Sequence, residues 1–286
     1  MIERIPFLGF SEPISSLTHL ISALIFLYFG SKMIWQGRGN AVRVISLLLY
    51  IGCAVFLFSM SGVYHLLEKG TTSNYVLQVL DHAGIYLMIS GSFTPFQVVL
   101  LRGYKRWIPL TCIWLLGITG LTLTSIFFST MPEWLLLSFF ISMGWMSVFT
   151  VWFIRKVDFK SVKYLFIGGL LYTTGAIFDF ARWPSLIHSV FEAHEIFHIF
   201  VTAGALVHFK AIYRLSTIPV SDQLDVYIRV LPNIYKAHFS TEHGQLEAQS
   251  DEGMRLKIKA WIETNYLKAL TPKNVRLKYF KEDKLD

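Results

Sequence analysis

The densest chemistry in the chain lies in five consecutive residues, His194-Glu195-Ile196-Phe197-His198. Histidines at i and i+4 project from one helical face, a spacing suited to binding one metal ion. The string also satisfies H-E-x-x-H, in which the histidines hold zinc and the glutamate serves as general base. Other polar residues stand out by their surroundings: His19, Ser61, His65, Asp81 and His82 sit in or at the ends of apolar runs. An ionisable side chain within a membrane helix costs roughly 2.5–3.5 kcal/mol on insertion scales, so such residues mark functional sites or pairs. His65 is the leading candidate for a third metal ligand, since three imidazoles and one water make an open tetrahedral zinc site. Asp81 would orient a ligand or hold that water, with Glu195 as an alternative base. Ser61, four residues before His65, shares its helical face. Glu12, His19 and His82 either line the pocket or sit in the headgroup layer. His208, toward the far end of the last run, is set apart from the site.

These residues need helices to position them. A membrane-crossing helix takes about 20 predominantly apolar residues, and seven stretches qualify: 14–35, 41–67, 76–101, 107–129, 133–154, 162–181 and 191–213. The predicted fold is an all-α, polytopic seven-helix bundle with short connections. Glycines within the spans permit close helix approach, and Pro95 is expected to kink the third span. Successive spans reverse direction. The start of spans one, three and seven and the end of span two therefore share one side of the membrane, which gathers all these polar residues at one end of the bundle.

Composition agrees with a membrane class. Hydrophobic residues make up 53% and charged residues only 16%, against about 25% charged in a soluble domain; mean hydropathy is +0.49. The net charge of +7 arises from short basic clusters between apolar runs and from the tail, a membrane-protein pattern that argues against nucleic acid as a partner. Cys53 and Cys112 both lie in apolar runs, which excludes a disulfide framework and a cysteine-based zinc site. The first run has no small-residue cleavage pattern, so a removed signal peptide is not expected.

Lys32, Arg38, Arg43, Arg102, Lys105, Arg106, Arg155, Lys156, Lys160, Lys163, Lys210 and Arg214 flank the spans on one side, against Arg4, Lys69 and Arg182 on the other. This bias predicts a multi-pass plasma-membrane protein (the inner membrane in a bacterium) with its N-terminus outside and its C-terminus in the cytoplasm. Residues 1–214 thus form the transmembrane domain and 215–286 a polar, basic, partly helical cytoplasmic tail. Leu256, Ile258, Trp261, Ile262, Tyr266, Leu267 and Leu270 approximate a helical stripe beside Lys257, Lys259 and Lys268. Two readings of that helix stand side by side: it lies on an anionic leaflet, or it packs on the bundle.

The same residues resemble the hemolysin III and adiponectin-receptor-related family, the progestin and adipoQ receptors, over roughly residues 11–214. Glu12-Pro13 with Thr18-His19, Ser61-Gly62-Val63-Tyr64-His65, the stretch Leu80-Asp81-His82-Ala83-Gly84-Ile85-Tyr86 with Gly91-Ser92-Phe93-Thr94-Pro95-Phe96, and His194 to Val201 with Ala203-Gly204 and His208-Phe209 look like its motifs in order. The bacterial hemolysin III branch is the nearest. The resemblance implies a seven-helix bundle with zinc held by His65, His194 and His198, Asp81 contacting water at the zinc, and Ser61 beside it. It also brings a link to alkaline ceramidases and, for bacterial members, a hemolysin name.

Three functions follow as expectations. The first is a zinc-dependent, ceramidase-like hydrolase acting on a lipid amide, with membrane lipids as partners and an acyl-amide as substrate. The second is a receptor or regulator of lipid homeostasis in which zinc is structural. The third is a pore-former causing cytolysis, which is disfavoured because no span carries a continuous polar stripe.

Overall fold

The computed structural model describes residues 11–187, 190–220, 223–239, 244–266, 271–272 and 274–281. Its helices are α1 (Pro13–Gln36), α2 (Ala41–Leu66), α3 (Thr72–Leu100), α4 (Tyr104–Phe127), α5 (Glu133–Trp145), α6 (Ser147–Ile154), α7 (Phe159–Ala181) and α8 (Ala193–Leu215). Together they supply seven helices long and apolar enough to cross a membrane, with α5 and α6 forming one span that breaks at Met146. The seven-span helical architecture read from hydropathy is therefore the architecture of the protein.

Local chemistry sets the helix ends. Asn40 Oδ1 accepts the Arg43 N–H at 3.1 Å to open α2, and Thr71 Oγ1 accepts the Asn74 N–H at 3.2 Å to open α3. Pro13 occupies the first turn of α1, where its missing N–H costs nothing. α3 stays helical on both sides of Pro95 and is the most buried of the spans.

Apolar side chains fill the interior and also cover the outside of the bundle. Phe26, Tyr50, Phe58, Tyr86 and Phe96 fill the bundle interior, while Leu24, Ile45, Ile118, Phe149 and Ile177 face outward to lipid. Trp35, Trp107, Trp134, Trp152 and Trp183 are exposed near the helix ends, at interface depth. α2 packs between α1 and α3, α7 packs on α8, and α1 touches α8; the α5–α6 span makes only light contact with α3, α4 and α7. That loosely held span leaves space inside the bundle.

At the end opposite the histidines, arginines grip the chain as it leaves α8. Arg43, Arg102 and Arg106 donate to the carbonyls of Ile218, Pro219 and Val220 at 2.9, 2.9 and 3.0 Å. Beyond this linker the tail holds more than a helix. Strands β1 (Gln223–Leu231), β2 (Ile234–Phe239), β3 (Gln245–Ala248) and β4 (Asn274–Lys281) form a four-stranded sheet in the order β3-β2-β1-β4, and helix α9 (Asp251–Asn265) leads from β3 to β4. β1 and β2 make an antiparallel hairpin, and β4 runs parallel to β1 with Val226 opposite Leu277.

Leu224, Val226 and Ile228 alternate inward and meet Met254 and Ile258 of α9, with Phe239 stacked on Trp261 at 3.8 Å. The apolar stripe expected to rest on a leaflet or on the bundle therefore packs on a sheet of its own. Leu256 points away from it and is exposed; Leu267, Lys268 and Leu270 lie outside the described residues, as does Arg4. On the opposite sheet face Lys278 and Arg276 each reach Asp225 at 3.1 Å, and the Lys278 hydrogen bond leads in holding that carboxyl below the usual aspartate range.

Candidate metal centre

The candidate ligands gather where α2 finishes and α8 begins. His194 Nε2 lies 3.3 Å from His65 Nε2 and 3.1 Å from His198 Nε2. One nitrogen from each of the three rings falls within 4.8 Å of the others, an arrangement able to hold a metal ion. His65 and His198 are buried and His194 is partly exposed.

The outer ring nitrogens decide how the inner ones behave. His65 Nδ1 contacts the buried Glu12 carboxylate, and His194 Nδ1 lies 3.0 Å from Asp179 Oδ1. A carboxylate can only accept, so each Nδ1 carries a proton, and in the neutral rings each Nε2 presents a lone pair. Two bare lone pairs at 3.3 Å cannot hydrogen-bond to each other; a cation among them removes the repulsion. The spacing suits one. With Zn–N bonds of about 2.0–2.1 Å, a tetrahedral site has nitrogen–nitrogen edges of about 3.3–3.4 Å. The residues present fit a three-histidine metal.

Two of the candidate ligands, His65 and His194, are held from behind by carboxylates. Glu12 also takes Lys69 Nζ at 2.8 Å, and its backbone N–H bonds the His65 carbonyl at 3.0 Å, so the residue preceding α1 fixes the last turn of α2. Asp179 is shared with Arg182, which reaches it at 3.3 Å and reaches Glu133 at 2.7 Å. His198 is stacked on His19 with centroids 3.9 Å apart. Carboxylate–histidine pairing fixes ring orientation and raises ligand basicity, and its loss costs about 10–100-fold in metal affinity. Asp179→Asn is therefore expected to weaken metal binding by about one to two orders of magnitude. Titration of the purified, metal-stripped protein against a competing chelator checks this, and unchanged affinity would remove Asp179 from the centre.

His194 and His198, but not His65, line a cavity of about 630 Å³ whose walls come from α1, α2, α3, α5, α6, α7 and α8. Its wall is apolar over most of its length, with Phe93, Phe140, Val148, Val151 and Phe166 among the lining residues. Ser61, Asp81, His82 and His19 line it together with His194 and His198. Ser61 is buried, and the Asp81 carboxylate stands 4.0 Å from His82 Nδ1, which itself lies 2.8 Å from the Gln78 carbonyl.

Two of the residues singled out in the sequence take different places. Glu12 does not line the cavity; it stands behind His65 as the hydrogen-bond acceptor just described. Glu195 is committed to the start of α8. Its Oε2 accepts the Glu192 N–H at 2.9 Å in a capping box, and its Oε1 accepts Ser15 Oγ at 3.2 Å. One residue past His194, it projects about 100° away on the helix, so its carboxylate fastens α8 to α1 instead of facing the metal as a base. Asp179 was missed, although an aspartate near the end of an apolar span was the available signal. His208 was set apart, yet it lines the same cavity.

The comparison with known sequences follows the same residues. The family model described as haemolysin-III related matches residues 8–209. The chain belongs to the haemolysin-III-related family. The match contains every residue of the candidate metal centre and stops before the C-terminal sheet. Hemolysin-3 of Bacillus cereus is 29% identical over 216 residues, covering 72% of this chain and 93% of the relative. The Hemolysin-3 homolog of Bacillus subtilis (strain 168) is 29% identical over 192 residues, covering 66% and 84%. The human monocyte to macrophage differentiation factor is 27% identical over 170 residues, covering 57% of this chain and 66% of its own length. This haemolysin-III-related chain is thus a multi-pass membrane protein whose three clustered histidines can bind a metal ion.

Proposed function

We propose that the metal is zinc and that the protein is a zinc-dependent hydrolase of lipid amides, ceramide-like in substrate class. One observation carries the reading: three imidazoles cluster closely enough to share one metal ion, and two of them, His194 and His198, line an apolar cavity large enough for an acyl chain. Zinc in such a site polarises a carbonyl and makes a water molecule acidic near neutral pH. The protein's own residues would do the rest. Asp81, on the cavity wall beside the imidazoles, positions the attacking water and takes its proton. Ser61 donates a hydrogen bond to the oxygen that gains charge as the carbonyl is attacked. The apolar wall excludes bulk water and holds the acyl chain in line.

Metal removal tests the proposal. Detergent-purified protein is expected to release fatty acid from a long-chain N-acyl amide, to stop when dialysed against a zinc chelator, and to resume when zinc returns. Zinc-loaded protein that cleaves no lipid amide or ester overturns the hydrolase. It favours instead a membrane receptor or regulator of lipid homeostasis with a structural metal. That second reading draws on the way the cluster fastens the entry to α1, α2, α7 and α8 together, since such a metal contributes folding energy.

The names of the Bacillus relatives point to lysis. A pore in this chain would need conductance abolished by a mid-span substitution, and the apolar cavity wall gives that reading little support. The basic clusters near Arg43, Arg102 and Arg214 favour the opposite end of the bundle as the cytoplasmic one, which would set the metal toward the outer leaflet.

A further inference from the structure

Asp81 is not alone on its stretch of cavity wall. His82 follows it on α3 and lines the same cavity, with 25% of its side chain exposed. Two neighbours orient the ring. Nδ1 lies 2.8 Å from the Gln78 carbonyl one turn back, and Phe128 packs against the ring edge to face, with centroids 5.0 Å apart. A carbonyl can only accept, so Nδ1 carries a proton, and in the neutral ring Nε2 is an acceptor. Among the described residues Nε2 makes no hydrogen bond, and it is not one of the sealed polar atoms of the bundle interior. It is therefore an open acceptor on a residue of the cavity wall.

The Asp81–His82 pair stands within electrostatic reach of the metal centre. Asp81 acts on His65, and His82 acts on Asp179, the carboxylate behind His194. We propose that His82 Nε2 accepts the N–H of the scissile amide, which makes the site selective for secondary amides over tertiary amides and esters. This rests on the reading of the protein as a hydrolase of lipid amides. In that reaction the water oxygen bonds to the carbonyl carbon, and the water proton passes to Asp81 and then to the amide nitrogen. The C–N bond breaks to leave a carboxylic acid and an amine. The nitrogen gains positive charge as it takes the proton, so an N–H donated to His82 strengthens on the way to the transition state and lowers the barrier. A tertiary amide or an ester has no N–H and leaves the acceptor unpaired, the situation by which a polar site rejects an analogue.

The test compares dodecanohydroxamic acid with its N-methyl analogue, each displacing a fluorescent fatty acid from the purified, zinc-loaded protein. Both present the same two oxygens to zinc, and only the first has an N–H. It is expected to bind about tenfold more tightly, the effect of pairing one polar group. His82→Phe is expected to erase that preference, and His82→Leu serves if the first variant does not fold. Equal affinities in the unmodified protein overturn the contact and leave the metal centre standing. A preference that survives loss of the imidazole reflects the bulk of the methyl group and overturns the assignment to His82. Failure of both hydroxamates to displace the probe overturns the cavity reading and the contact with it. The preference without turnover of any lipid amide upholds the contact and overturns the hydrolase.

Discussion

His65→Ala is expected to abolish stoichiometric metal binding, leaving less than about a tenth of the chains loaded under conditions that fill the unmodified protein. Two imidazoles four residues apart on α8 would remain, but they bring only two of the three protein ligands that an open zinc site takes. The loss has a second part. Glu12 is 5% exposed, and His65 and Lys69 are among its partners. Removing the imidazole strips a buried carboxylate of a charge-assisted hydrogen bond, a change that costs about 3–5 kcal/mol where a buried pair is broken. Metal analysis and thermal unfolding separate the two effects. The melting temperature of the unmodified protein should fall on chelation, because a ligand that binds only the folded state stabilises it. The variant should start lower and not respond to the chelator. A variant that still melts lower on chelation has kept its metal, and His65 would then not be a ligand.

Asp81→Asn is expected to do the reverse: turnover falls by about 10²–10⁴-fold, the range for loss of a general base, while zinc content stays at that of the unmodified protein. The carboxylate lines the cavity with His194 and His198 but is not among the three converging ligand groups. Amide is close to carboxylate in shape but cannot accept a proton at neutral pH, so the substitution leaves the wall intact and removes the base. Parallel measurement of zinc stoichiometry and fatty acid release decides the matter. Full turnover in Asp81→Asn would take the base role from this residue, and loss of zinc would make it a ligand.

Much of this arrangement was legible before any coordinates. The apolar runs locate all seven spans because hydrocarbon leaves so few ways of satisfying a backbone. The parity of successive spans then places His65 and the His194–His198 pair at the same end. Helix ends were less legible, since α3 begins where Thr71 caps it, at Thr72, and hydropathy put the start at residue 76. The break at Met146 leaves no mark in an uninterrupted apolar run.

The partners behind the ligands were harder still. Whether Glu12 faces the cavity or the back of His65, and whether Asp179 meets His194, depends on how α1, α2, α7 and α8 are rotated about their axes. Spacing along one helix does not reveal that rotation. Glu195 shows the same limit in reverse. It matches the base position of H-E-x-x-H, but it also stands three residues after Glu192 at a helix start, where the capping box claims it. The sheet in the tail has a weaker sequence signal than the spans. Leu224, Val226 and Ile228 alternate with more polar residues at the period of a strand, a short pattern beside the longer apolar and basic stripe of the helix that follows.

X-ray absorption at the zinc edge of the purified protein tests the central claim most directly. A metal bound by three imidazole nitrogens at about 2.0–2.1 Å should be present in the unmodified protein and gone when His194 and His198 are both replaced by alanine. A zinc signal of unchanged coordination in that double variant would contradict the account.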